Sequence, residues 1–161
     1  MKKEAFILDP CSGGKMFYYD KNSPLVDYLD IRNETVKFSK DRILEVHPDK
    51  IQDFRHLPIE NETYSLIIFD PPHIYHGGKE SFMIKKYGKL PEKEYLQYLK
   101  EGFKEVFRVL KENGTLIFKW SQYQIPIKKV FPIIPYKPLL GDKSGNKRWT
   151  IFIKNSYYLN N

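Results

Sequence analysis

Two apolar runs in this sequence stop on an acid followed by proline. Ala5-Phe6-Ile7-Leu8 gives way to Asp9-Pro10, and Tyr64-Ser65-Leu66-Ile67-Ile68-Phe69 to Asp70-Pro71-Pro72. Short, nearly continuous apolar runs read as strands covered on both faces, the environment of a parallel sheet. A following proline has no N–H to extend the ladder, so the chain must leave the sheet there. Leu25 to Ile31, interrupted by Asp27, and Ile51-Gln52-Asp53 read as two further strands.

Between and after these runs the period changes. Tyr95, Leu96, Leu99, Phe103, Val106, Phe107 and Leu110 recur at steps of three and four, the stripe of an amphipathic helix. Pro91 suits its first turn, Glu92 and Glu94 complement its N-terminus, and Gly114 lies just beyond its end. Thr115 to Trp120 is a fifth strand and Ile127 to Phe131 a short helix. Tyr136 to Leu140 and Trp149 to Lys154 form a closing hairpin around the polar loop Gly141 to Arg148. Strands alternating with helical segments predict an α/β sheet with crossovers, made mixed by the hairpin.

With 161 residues and neither repeat nor linker, residues 1–161 are expected to form one domain. A chain of this length buries enough surface to dispense with disulfides or a structural metal. Its 41% hydrophobic and 16% aromatic content excludes a disordered chain. Apolar runs reach four residues or so, against the roughly 20 that span a bilayer, and the run after Lys2-Lys3 ends at Asp9, too soon for a secretory leader. A cytoplasmic protein is the expectation. The lone Cys11 excludes an internal disulfide and a zinc framework, and His73 and His76 read as loop histidines, so no metal is expected. The net charge of +7 draws polyanions or anionic metabolites.

In open α/β sheets ligands bind beyond the carboxyl ends of the strands. Four such ends carry chemistry here. After the first strand come Asp9-Pro10-Cys11-Ser12-Gly13-Gly14, whose glycines permit a tight turn and close approach to a ligand. Asp30 follows Asp9 by 21 residues, near the spacing at which a carboxylate reaches ribose hydroxyls. Asp53-Phe54 offers an acid for an adenine amine and a ring for its face. At Asp70-Pro71-Pro72-His73 two prolines hold the backbone extended, leaving carbonyls without neighbouring amide donors.

These four motifs, in this order, resemble the class I S-adenosylmethionine-dependent methyltransferases. The last resembles the Asp-Pro-Pro-aromatic signature of the amino-methylating branch, which acts on exocyclic amines of adenine or cytosine. The chain also resembles small methyltransferase-like proteins of phages and prophages. The shared features, which span nearly its whole length, are Asp30-Ile31-Arg32, Asp53-Phe54-Arg55, Lys85-Lys86-Tyr87-Gly88, and Phe118-Lys119-Trp120 followed by Tyr123-Gln124-Ile125-Pro126. The resemblance implies a Rossmann-like, mixed seven-stranded sheet with helices on both faces.

It also implies S-adenosylmethionine as cofactor, with Asp9, Pro10, Cys11, Ser12 and Gly13 around its methionine part, Asp30 with Ile31 at the ribose, and Asp53 with Phe54 at the adenine. Asp70, Pro71, Pro72 and His73 would face the methyl group and the acceptor. The sequence departs from the family twice: Ser12-Gly13-Gly14 stands for the usual Gly-x-Gly, and His73 for the Tyr, Phe or Trp that stacks on a flipped base. The implied partner is nucleic acid. Lys79, Lys85, Lys86 and Lys89 after the fourth motif, Lys119 at the fifth strand's end, and Lys143, Lys147 and Arg148 in the hairpin loop are the cations for its phosphates. Once the sheet is accounted for, no separate target-recognition domain is expected, so specificity falls to an oligomer or a partner protein. A small-molecule or protein acceptor, and a cofactor-binding module without transfer, are the competing readings.

Overall fold

A computed structural model describes residues 2–78 and 80–160. Its main sheet contains β1 (Ile7–Asp9), β2 (Val26–Asp30), β5 (Lys50–Ile51), β6 (Tyr64–Phe69), β7 (Leu110–Ser121), β8 (Leu140–Gly141) and β9 (Lys147–Ile153). Their order across the sheet is β5-β2-β1-β6-β7-β9-β8. The β5, β2, β1, β6 and β7 pairings are parallel, whereas β9 runs antiparallel to both β7 and β8. The order reverses between β1 and β6, which places the ends of both acid-terminated runs side by side at the switch point. A separate antiparallel hairpin pairs β3 (Glu34–Ser39) with β4 (Arg42–Val46).

Periodicity explains which face is packed. Leu8, Leu29, Ile67, Phe69, Leu116, Phe118, Trp120 and Phe152 form one buried cluster with Leu99, Phe103, Val106 and Phe107 of α2 (Tyr95–Val109). Ile127 and Val130 of α3 (Ile127–Val130) join that cluster, and a 3-10 turn, Phe131–Ile133, continues α3. The alternate residues Ile7, Ile68, Ile117 and Ile151 are half-buried. Helices were expected on both faces. The long helix and α3 share one face, while the crossover after β1, residues 10–25, is built of turns and lies on the other, its Phe17 against Trp149 and Tyr18 against Tyr28. The β3–β4 hairpin stands where a helix would link β2 to β5.

Some boundaries differ from those expected. Glu94 sits at the α2 N-cap with a left-handed φ of 66°, so Pro91 precedes the helix rather than occupying its first turn. Gly114 lies inside β7: Leu110 pairs with Tyr64 and Thr115 with Leu66, so Lys111 to Gly114 loop out between the two pairings. The closing hairpin is shorter than expected on its first side, and Tyr136 instead bridges to Leu159. No helix among the described residues is long and apolar enough to cross a membrane. No group of three or more potential ligand side chains among them could hold a metal ion.

Candidate active site

The β1 turn is folded by its own acids. Asp9 accepts the Cys11 N–H at Oδ1 (3.2 Å) and the Tyr18 hydroxyl at Oδ2 (2.9 Å), and it is buried. Burial pushes its carboxyl up to about 7 despite those two hydrogen bonds, and the charges of Asp70 and Asp30 act the same way. The two glycines do different jobs. Gly13 takes φ +50°, whereas a Cβ on Gly14 would lie 2.8 Å from the end of the Leu44 side chain of β4, so the hairpin packs closely on the turn there.

Asp30, at the end of β2, is already fully engaged. Its Oδ1 accepts the Arg32 N–H (2.9 Å) and Nε (3.1 Å), and its Oδ2 accepts the Gly13 N–H (2.9 Å) and Arg32 Nη2 (3.4 Å). Arg32 Nη1 reaches on to the Lys85 carbonyl (3.2 Å) of α1 (Phe82–Tyr87). Asp53 repeats the arrangement with Arg55, whose guanidinium also lies 4.0 Å over the Tyr98 ring. Burial acts upward on the Asp53 carboxyl, but the Arg55 hydrogen bonds and charge outweigh it and hold it below its ordinary value.

Phe54 is shared between the core and the cavity. Its ring is 6% exposed and meets Phe69 and Tyr98 edge-on, so most of it belongs to the core. Gly102 of α2 makes this possible, because a Cβ there would collide with the Phe54 ring.

The second acid-proline motif forms the centre of the site. Asp70 Oδ2 accepts Lys119 Nζ at 3.1 Å, a contact set by the sheet register that pairs Phe69 with Phe118. Burial pushes the Asp70 carboxyl above its ordinary value, with Lys119 opposing. His73 is 4% exposed, its ring 5.1 Å from Tyr87 and 6.2 Å from Trp120. Burial holds its imidazole down at about 4, and the charges of Lys119 and Lys147 add to the effect. It is a packed, neutral histidine. This burial leaves little of the His73 ring face open to stack on an acceptor.

A cavity of about 190 Å³ lies among these ends, and the structure brings Pro10, Cys11, Asp30, Ile31, Asp53, Phe54, Asp70 and Pro72 to its wall. A recess of about 30 Å³ adjoins it, lined in part by Cys11, Ser12, Gly13, Asp70 and Lys86. Asp9, Pro71 and His73 are buried and do not line either of these two spaces. Among the described residues, two buried side-chain polar atoms have no hydrogen-bond partner: Ser12 Oγ and Asp70 Oδ1. Both belong to residues lining the recess.

Tyr87, Gly88 and Tyr98 also line the larger cavity, and Arg32 reaches both spaces. Of these, Arg32 and Tyr87-Gly88 stand in the shared sequence features, but nothing in their spacing announces a cavity wall. The cations divide. Lys86 reaches the recess and Lys119 the acid, while the Lys85 ammonium pairs with exposed Glu80. Arg148 is paired in register with Trp120, which puts it on the opposite face from Lys119, where it lines a separate depression with Phe131 and Leu139. Lys147 is exposed at the start of β9, and Lys79 lies outside the described residues.

No family model matches the chain, and none of the curated proteins does. Solved structures do. The PH0226 protein from Pyrococcus horikoshii is similar over 96% of this chain and 84% of its own, with a TM-score of 0.58 at 16% identity. Geranyl diphosphate methyltransferase, solved with geranyl diphosphate and sinefungin, covers 95% of this chain and 72% of its own (TM-score 0.53, 9% identity). A SAM-dependent methyltransferase from Methanosarcina mazei covers 95% and 92% (TM-score 0.50, 11% identity). The chain therefore has the Rossmann-like fold of S-adenosylmethionine-dependent methyltransferases.

Proposed function

We propose that this chain is an S-adenosylmethionine-dependent methyltransferase and that its acceptor is an exocyclic amino group of a nucleic-acid base. The observation that carries this reading is the pair of unpartnered buried atoms, Ser12 Oγ and Asp70 Oδ1, on two residues of one recess. A buried polar atom left unpaired costs about 1–3 kcal/mol, and folded proteins tolerate few of them outside ligand sites. A cofactor with a charged amino acid end, a ribose and a base fits the donor set: backbone and hydroxyl in the β1 turn, acids at β2 and β5, and the exposed Ile31 side chain on the cavity wall.

The bound cofactor would supply an electrophilic methyl group with its own leaving group. What the chain must add is orientation and charge. Lys119 holds Asp70 through Oδ2, fixing the carboxylate and leaving Oδ1 to accept a hydrogen from the incoming amine. The Pro71 carbonyl supplies a second acceptor. Two acceptors on an arylamine localise its lone pair and stabilise the positive charge that develops on nitrogen, which is preorganised electrostatic catalysis. The surplus proton leaves after transfer, so no strong base is needed, in keeping with a His73 that is packed and neutral. The net charge of +7 and the lysines beside the recess suit a polyanionic acceptor.

Calorimetric titration with S-adenosylmethionine tests the cofactor half. The expected result is saturable one-site binding weakened by Ser12→Ala. Absence of binding would remove the basis of the reading.

A further inference from the structure

A planar acceptor held at Asp70 needs a face to stack on, and the packed His73 does not provide one. Three other rings surround the Lys119 ammonium that pairs with Asp70. Its Nζ lies 4.8 Å from the Phe17 ring centroid, 5.9 Å from Trp149 and 5.9 Å from Tyr87. Phe17 and Trp149 meet edge to face at 5.1 Å, and each is more than a third exposed, at 37% and 36%.

Neither ring owes its place to the main core, which lies on the other side of the sheet. Phe17 is carried by the turn-rich crossover after β1 and lines the recess beside Asp70. Trp149 is fixed by the β7–β9 register, directly opposite Lys119. The turn that replaces a crossover helix thus delivers one ring, and the antiparallel strand the other. Lys86 at the recess and Lys147 at the start of β9 flank them with positive charge. Exposed aromatics interleaved with lysines are the chemistry by which proteins hold an unpaired nucleobase and its phosphates.

We propose that Phe17 and Trp149 form the stacking surface that receives the acceptor base, the task that the family resembled in sequence gives to the aromatic residue that His73 replaces. The proposal rests on the transferase reading and names the acceptor-binding residues within it.

The test is fluorescence anisotropy with labelled single strands of about 12 nucleotides, a length such a groove covers. DNA and RNA versions are compared with a strand of the same length lacking bases. Stacking on an aromatic side chain is worth about 1–3 kcal/mol per base, so Trp149→Ala and Phe17→Ala are each expected to weaken binding of base-bearing strands about 5- to 160-fold. Trp149→Phe should restore most of it. Binding of the abasic strand should be the same in all four proteins, and matching circular dichroism spectra and melting curves show that each variant is folded. Equal affinity of the native protein for base-bearing and abasic strands would overturn the proposal, as would alanine variants that bind bases normally. Calorimetry with S-adenosylmethionine on native protein and Trp149→Ala separates the two claims. Cofactor binding without base-dependent strand binding overturns the stacking surface alone, and absence of cofactor binding overturns the transferase reading together with it.

Discussion

Arg32 closes on Asp30 through two donors to one oxygen, its backbone N–H at 2.9 Å and its Nε at 3.1 Å. With Gly13 N–H and Arg32 Nη2 on the other oxygen, all of the roughly four acceptor positions of a carboxylate are taken. A ribose hydroxyl at this acid must therefore displace a donor, and the longest contact, Nη2 at 3.4 Å, is the one to yield. The same guanidinium holds the carbonyls of Lys85 and Lys86, so the acid after β2 and the segment carrying Tyr87 and Gly88 are mechanically joined.

Arg32→Ala should loosen that segment. Loss of a hydrogen bond to a charged group costs about 1.5–3 kcal/mol, so amide exchange at Lys85 and Gly88 is expected to speed up about tenfold or more. Hydrogen-exchange mass spectrometry over residues 81–90 reads this, and unchanged protection there would show that Arg32 does not latch α1.

The pH dependence of stability contains two opposing contributions. Asp9 titrates near 7 in the folded protein against 3.8 ordinarily, because of burial, so the folded state binds more protons and its contribution is lost as pH rises toward 7. Asp70, also raised by burial, acts with the same sign. His73 titrates near 4 instead of 6.5, so its contribution is present above 6.5 and lost as pH falls toward 4. Between pH 4 and 6.5 His73 therefore offsets part of the loss of stability with rising pH that Asp9 and Asp70 cause. Relative to the native protein, Asp9→Asn should tilt the dependence of melting temperature on pH upward across that window, and His73→Asn should tilt it downward. Parallel melting curves for the three proteins would refute the opposition.

Gly102→Ala offers a test of the core. Alanine is the better helix former by about 1 kcal/mol, yet the new Cβ would press on Phe54 and reach 3.3 Å from the Phe69 ring. Overpacking of this kind costs about 1–3 kcal/mol. A lower melting temperature is expected, and with it weaker cofactor binding, because the Phe54 edge borders the cavity. A stabilised variant would mean that α2 shifts freely over the sheet.

The strands were legible where burial forced an uninterrupted apolar run, as at Tyr64 to Phe69, and α2 where Tyr95, Leu96, Leu99, Phe103, Val106 and Phe107 kept one helical face, while Leu110, the last of that stripe, begins β7. The β3–β4 hairpin was not foreseen. Its alternation, with Val36 and Phe38 inward and Lys37 and Ser39 outward, belongs to a half-covered ribbon whose polar positions resemble loop sequence. The acids of the site were legible from their positions at strand ends, but their partners were not. Arg32 meets Asp30 across two residues of one turn, but Tyr87 and Trp149 reach the site through tertiary packing and sheet register, which no local spacing encodes. His73 shows the converse: its motif marks a place in the chain, while the packing of Tyr87 and Trp120 decides what that place exposes.

In the proposed reaction Asp70 receives the amino group that is methylated. Single-stranded DNA and RNA would be incubated with methyl-labelled S-adenosylmethionine and the native protein or Asp70→Ala, then digested to nucleosides and resolved by mass spectrometry. Label is expected on an exocyclic nitrogen of adenine or cytosine, reduced at least about 100-fold in Asp70→Ala, as befits a lost transition-state contact, with cofactor binding retained. Label transferred equally by Asp70→Ala, or found on a ring carbon, would contradict this role of Asp70.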